Sequence, residues 1–175
     1  MQWALEQVRA SAETSAVHNL EGRSGAGILV VCTVTRRMLL GKRNQQCSFP
    51  EHWSPFGGMV EPGEDPRAAA RREVFEEAHL ALPDDVIFEE PLYVDFRPKS
   101  KFTFYTYLAV LDFEPEVRIN QESAGYAWFS LRDLPNPIHP GFRKVLASER
   151  GQDLVETMTT YVPPGTSLET EVFEP

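Results

Sequence analysis

Gly58-Met59-Val60-Glu61-Pro62-Gly63-Glu64-Asp65-Pro66-Arg67-Ala68-Ala69-Ala70-Arg71-Arg72-Glu73-Val74-Phe75-Glu76-Glu77-Ala78-His79-Leu80 joins a glycine-marked strand to a helix. Asp65 is a preferred N-cap. Pro66 takes the first helical position, where a missing N–H costs nothing. Ala68-Ala69-Ala70 favours helix, and Ala70, Val74 and Ala78 form one stripe able to face a sheet. Pro83 stops any continuation. Glu73, Glu76 and Glu77 stand at i, i+3 and i+4, so their side chains share one face. Three carboxylates there repel by roughly 0.2–0.5 kcal/mol per exposed pair. The helix C-terminus disfavours each anion by a further ~0.3–1 kcal/mol. Something must offset this. A hard divalent cation does, and Mg²⁺ suits a few carboxylates plus substrate phosphates. The alternative is a solvated acidic face paired with Arg67, Arg71 and Arg72. The glycine-rich strand and the loop ahead of the helix count against that alternative.

Strands surround this helix. Gly25 and Gly27 open the apolar run Ile28 to Thr35, which reads as a buried strand. Arg36-Arg37 makes a turn, and Met38-Leu39-Leu40 returns as a second strand. Residues 41–55 read as loop, and Phe56 to Val60 as a short strand broken by Gly57-Gly58. Further strands are expected over 86–96, 101–112 and 126–129, with a hairpin turn at Pro98-Lys99-Ser100. The aromatic and β-branched run Phe102 to Leu111 reads as central. Gly141 to Arg150 resembles a closing helix. Mixed strands with two helices give an α/β fold, an α/β/α sandwich around a central mixed sheet. The expected organisation is an N-terminal extension over 1–22, one domain over 23–150 and a C-terminal arm or tail over 151–175.

Composition limits the function. The 175 residues carry a net charge of −9 and are 42% hydrophobic, which suits one globular domain. The acid excess argues against a partner that is a nucleic-acid polymer or an anionic membrane, because each needs a basic face. Small anionic substrates stay open, since a divalent cation inverts the local sign. The longest purely aliphatic stretch is Ile28 to Val31, far short of the ~20 apolar residues of a membrane span. The first residues show no secretory signal. Cys32 and Cys47 form no CxxC and read as free intracellular thiols. Cytoplasmic localisation is expected.

At this point the long segment is recognisable. It resembles the Nudix box of the Nudix hydrolase (MutT-like) family, Gly-x5-Glu-x7-Arg-Glu-U-x-Glu-Glu-x-Gly-U, with U aliphatic. Gly58, Glu64, Arg72, Glu73, Val74, Glu76, Glu77 and Leu80 match in register. His79 replaces the last glycine, a departure that bears on where the helix ends. The segments Leu39 to Arg43 and Trp128 to Pro135 look like the family's usual flanks. The resemblance implies a hydrolase that cleaves a nucleoside diphosphate linked to a group X, with Mg²⁺ or Mn²⁺ as cofactor. It implies that Glu73, Glu76 and Glu77 bind metal and that Glu73 also activates water. It further implies that the Gly57 carbonyl completes the metal shell, that Arg72 orients the glutamates, and that Glu64 packs or pairs against the helix.

Other candidates lie around the box. The resemblance makes Glu122 a candidate for an extra metal ligand or base; the alternative is a plain loop glutamate. Lys42 and Arg43 are candidates for substrate phosphates, or ordinary surface residues. Trp53 is placed to stack on a base, or to serve as core or lid. Tyr126 and Trp128 are expected in the core, and His52 and His139 receive no role. The first substrate expectation is a small nucleotide, a nucleoside triphosphate including a damaged one; a nucleotide sugar comes second. A non-catalytic Nudix-fold module that senses a nucleotide is the competing function, although such modules usually lack the full glutamate set. An isomerase on the same fold would need a catalytic cysteine in a distinctive setting, which neither Cys32 nor Cys47 offers. A homodimer through the terminal segments is a further expectation.

Overall fold

The computed structural model describes residues 23–160. Strand β1 (Arg23–Cys32) is the axis of a seven-stranded sheet. On one side it runs parallel to β6 (Phe102–Leu111) over all ten residues. On the other side two strands share it. β4 (Phe56–Met59) pairs antiparallel with residues 25–28, and β2 (Arg37–Arg43) with residues 30–32. β2 then pairs with β3 (Trp53–Ser54) and with β7 (Ser123–Ser130), while β5 (Tyr93–Arg97) adds to the outer edge of β6. One parallel pair among antiparallel ones makes the sheet mixed, as expected, and β6 is central.

Side-chain alternation along β1 feeds two cores. Ala26, Ile28 and Val30 face helix α1 (Pro66–Ala78), which contributes Ala69, Ala70, Val74 and Ala78. Leu29 and Val31 face the other way, towards helices α2 (Pro140–Ala147) and α3 (Glu149–Thr160), which contribute Phe142, Val145, Leu154 and Met158. A strand buried on both faces reads as a continuous apolar run rather than an alternating one. That is why Ile28 to Cys32 shows no period of two. Among the described residues no helix is long and apolar enough to cross a membrane.

Several boundaries differ from expectation. β1 starts at Arg23 and ends at Cys32; Thr33 to Arg36 turn instead, with Arg36 at φ 57°. β2 continues through Gly41 to Arg43, and β4 runs unbroken through its glycine pair. The strand expected over 86–96 forms only from Tyr93. Arg67 holds the stretch before it in an irregular path, donating to Asp84 Oδ1 (2.7 Å) and to the carbonyls of Asp84 (2.7 Å) and Ile87 (2.8 Å). Tyr126 is 41% exposed and outside the core, whereas Trp128 packs against it. The closing helix breaks at Ser148, and α3 then runs through the start of the segment expected as an arm. Leu154 and Met158 are 0% and 2% exposed, so the hydrophobic effect holds this stretch on the sheet. The expected N-terminal extension over 1–22 and the arm beyond 160 lie outside the described residues.

Candidate active site

The site forms where α1 meets β4. Asp65 caps α1 through its carboxylate, which accepts from the N–H groups of Arg67 and Ala68 at 3.0 Å each. At the other end His79 takes a left-handed conformation (φ 53°, ψ 32°), the geometry the family glycine supplies. Its N–H donates to the Phe75 carbonyl at 2.9 Å, and its Nδ1 lies 2.7 Å from the Arg118 carbonyl. The loop after β6 completes this end: Arg118 and Asn120 donate their N–H groups to the carbonyls of Ala78 (3.1 Å) and Glu77 (2.9 Å). The helix end is therefore not displaced by the histidine, and the carbonyls of Phe75, Glu77 and Ala78 in its last turn are satisfied.

This framework fixes the glutamates. Glu77 is buried and accepts a 3.0 Å hydrogen bond from the Gly57 N–H. Burial pushes its carboxyl up to about 7, the Gly57 bond opposes this, and the nearby Glu122 and Glu73 charges add to it. Burial also raises Glu73, against the pull of Arg72. Arg72 is the hub of the acidic face. It forms a bidentate pair with Glu64 (2.9 Å each), donates to Glu73 (2.8 Å) and the Met59 carbonyl (3.0 Å), and reaches Glu76 at 3.4 Å. The fork first, and then the Glu61 N–H, hold Glu64 down at about 2. Glu64 is therefore fully ionised and serves to orient Arg72. Gly58 leaves no room for a side chain, since a Cβ there would lie 2.4 Å from Glu73 Oε2. At Gly57 a Cβ would lie 2.4 Å from the Ala26 carbonyl oxygen.

The solvated-face alternative fails on the arginines. Arg67 and Arg71 turn to Asp84, leaving Arg72 alone on the acidic face. Glu122 sits on the loop that closes α1 and acts on both Glu73 and Glu77. A cluster of partly buried carboxylates with one paired arginine has the donor chemistry for a hard divalent cation. Among the described residues no three acidic, His or Cys side chains already converge as a closed cage. A cation here would take its remaining ligands from water and substrate oxygens.

A cavity of about 320 Å³ opens beside this cluster, on the side of the sheet that carries α2. Gly57, Gly58, Glu77 and Glu122 line it, together with Arg43, Asp95, Arg97, Phe102, Phe104 and His139. The size is that of a nucleotide-type ligand site.

The NUDIX domain family model matches residues 22–148, most of the chain. The chain belongs to the Nudix family. It is 37% identical over 92 residues to the asymmetrical bis(5'-nucleosyl)-tetraphosphatase of Caenorhabditis elegans, a match covering 50% of this chain and 66% of that protein. Identity to nucleoside triphosphatase NudI of Escherichia coli is 34% over 96 residues, covering 49% of this chain and 67% of that one. The chain thus spans about two thirds of the length of these curated relatives. Among solved structures, the MutT NUDIX hydrolase of Burkholderia pseudomallei superposes with a TM-score of 0.59 at 29% identity, covering 73% of this chain and 97% of that one.

Within this Nudix domain the expected site residues separate into two groups. Gly57, Arg72, Glu73, Glu76, Glu77, Glu122 and Arg43 gather around the α1 terminus and the cavity. Lys42 does not; it pairs with Glu51 and is not among the residues lining the cavity. Trp53 also stands away, packing edge-on against Phe129 at 4.9 Å in the core under α2. Lys42 and Trp53 are register partners on β2 and β3. Asp95, Arg97, Phe102 and His139 were not expected. They come from β5, β6 and the start of α2, which only the folded topology brings to the box.

Proposed function

We propose that this chain is a Mg²⁺- or Mn²⁺-dependent diphosphohydrolase of a nucleoside diphosphate linked to X, with a nucleoside polyphosphate such as a triphosphate as the first substrate class and a nucleotide sugar as the second. The observation that carries the proposal is Glu77. It is buried, raised towards neutrality, tied to the Gly57 N–H and surrounded by Glu73 and Glu122. Burying so much like charge is costly unless a cation joins it. The relatives named as a tetraphosphatase and a nucleoside triphosphatase support the reaction class.

Glu73, Glu76 and Glu77 would hold the cation, with the Gly57 carbonyl and Glu122 at the rim. Such a cation, when bound, neutralises diphosphate oxygens and acidifies water. Glu73, held in position by the Arg72–Glu64 pair, would accept the water's proton. Arg43 faces the same cavity, and its cation steadies the substrate's phosphates. The intact glutamate set weighs against a non-catalytic sensor. The same reading includes a domain over 23–150, extended by the packed α3 at the start of 151–175, with 1–22 ahead of it. It also includes a cytoplasmic location, which the free Cys32 and Cys47 suit, and a homodimer.

The test is a phosphate-release screen over nucleoside triphosphates, dinucleoside polyphosphates and nucleotide sugars, with Mg²⁺, with Mn²⁺ and with chelator. Metal-dependent turnover of at least one class is expected. Tight nucleotide binding by calorimetry with no cleavage under either metal would replace the hydrolase by the sensor.

A further inference from the structure

The cavity that Glu77 and Glu122 line also carries the opposite charge, from Arg43 and Arg97. Asp95 is 6% exposed, yet it is ionised; burial opposes this, and Lys144 and Arg97 outweigh it. Arg97 donates its Nε to Asp95 Oδ2 and Lys144 its Nζ to Oδ1, each at 2.8 Å. Two cations on one carboxylate leave this group net positive. The Arg97 guanidinium lies over the Phe102 ring at 5.4 Å, so its plane is held from two sides. Its two Nη groups have no hydrogen-bond partner among the described residues, and Arg97 lines the cavity.

His139 stands next to it. Its Nδ1 accepts the Gly141 N–H at 3.0 Å, which leaves Nε2 as the protonated, donating nitrogen. Phe49 packs edge-on against the ring at 4.8 Å. Burial keeps this histidine neutral, down at about 4, and the Arg43 and Arg97 charges add to that. Arg43 acts on Glu77 as well as on His139, and its guanidinium is held by the Ser48 carbonyl, to which its Nε donates at 2.6 Å. Arg43, His139 and Arg97 line the same cavity as Glu77 and Glu122. Phe49 and Phe102 already buttress His139 and Arg97, and the Asp95 carboxylate is spent on Arg97 and Lys144. What the basic group offers a ligand is therefore donors and positive charge.

We propose that Arg97, with Arg43 and His139, forms an oxyanion subsite that takes a phosphate of the substrate beyond the diphosphate being cleaved. The inference rests on the hydrolase reading and narrows its substrate. It selects nucleotides with a further phosphate, either as a longer polyphosphate chain or on the sugar of X. Asp95 is the positioning residue that aims the guanidinium fork.

The first experiment needs no turnover. Inorganic pyrophosphate is titrated calorimetrically into the full chain with chelator present. Wild type should bind with a steep salt dependence, Arg97→Gln about tenfold more weakly, and Arg97→Lys in between, since lysine keeps the charge and loses the fork. Arg118→Gln, which removes an exposed cation outside the cavity, should match wild type. The second experiment compares kcat/KM for a nucleoside tetraphosphate against its triphosphate, and for a nucleotide sugar phosphate against its dephosphorylated form. The pair whose preference collapses in Arg97→Gln identifies the source of the phosphate. Equal pyrophosphate binding by Arg97→Gln, Arg118→Gln and wild type overturns the subsite, whatever the enzyme cleaves. Arg97-dependent binding with no nucleotide cleaved leaves the subsite standing and removes the hydrolase.

Discussion

Glu77 concentrates the chemistry in one carboxyl. Its folded-state pKa of about 7 lies above the ordinary 4.5, so the folded protein holds this proton longer than the unfolded chain does. The resulting stability is full below pH 4.5 and is lost as pH rises through 7. Glu77→Gln keeps an acceptor for the Gly57 N–H but carries no charge. Without metal, the variant should therefore be more stable than wild type at pH 8, by up to about 3 kcal/mol, and the difference should vanish near pH 4. Urea unfolding at both pH values checks this. Adding Mg²⁺ should reverse the order, because only the carboxylate gains from the cation. Turnover should fall by about a hundredfold or more while the fold persists. A variant with wild-type activity, or one less stable at pH 8 in chelator, would contradict the account.

At the scale of elements, the box was legible because its signals are local. Asp65, Pro66 and the Ala70-Val74-Ala78 stripe fix α1 without help from the rest of the chain. The termini of β1 were not legible. Thr33 to Thr35 have strand propensity, but the turn at Arg36 ends the ladder. The glycine pair is the element-level device that sequence reading took for a break. Both glycines are needed in an unbroken β4, for different neighbours, and this gives a paired prediction. In Gly57→Ala the new methyl meets β1 backbone at 2.4 Å, so the sheet must shift. A loss of about 2–3 kcal/mol is expected in thermal or urea unfolding. In Gly58→Ala the methyl meets the Glu73 carboxylate, the far end of a flexible side chain. Stability should change by under about 1 kcal/mol while metal-dependent activity falls sharply, since the displaced group is a proposed metal ligand. His79 gives a third test at this scale. Glycine there relieves a left-handed strain of about 1 kcal/mol but loses the contact with the Arg118 carbonyl, worth about as much. His79→Gly should therefore be near neutral, whereas His79→Val, with a β-branched side chain at φ 53°, should cost about 2 kcal/mol in unfolding.

For the whole molecule, the sheet gathers what the sequence scatters. The acidic lining of the cavity was legible because its carboxylates fall within one helical turn plus Glu122. The basic lining was not, because Asp95, Arg97 and His139 become neighbours only through the pairing of β5 with β6 and the docking of α2. The second core layer was also under-read. Gln152 and Asp153 give the start of α3 a polar look, while Leu154 and Met158 face inwards and Val155 packs partly against the same cluster. Leu154 and Met158 are almost fully buried beside Leu29, Val31 and Leu108. Their burial makes α3 part of the folding unit that backs the cavity through Phe142 and Val145. Leu154→Ala should cost about 2–5 kcal/mol in urea unfolding, as a large-to-small change with little room to collapse. Truncation after residue 150 should cost more, since both side chains leave the sheet together. Truncation after residue 160, which keeps Leu154 and Met158, is the control. If truncation at 150 left the curve unchanged, α3 would be an appendage, and the cavity wall would have to draw its rigidity from α2 alone.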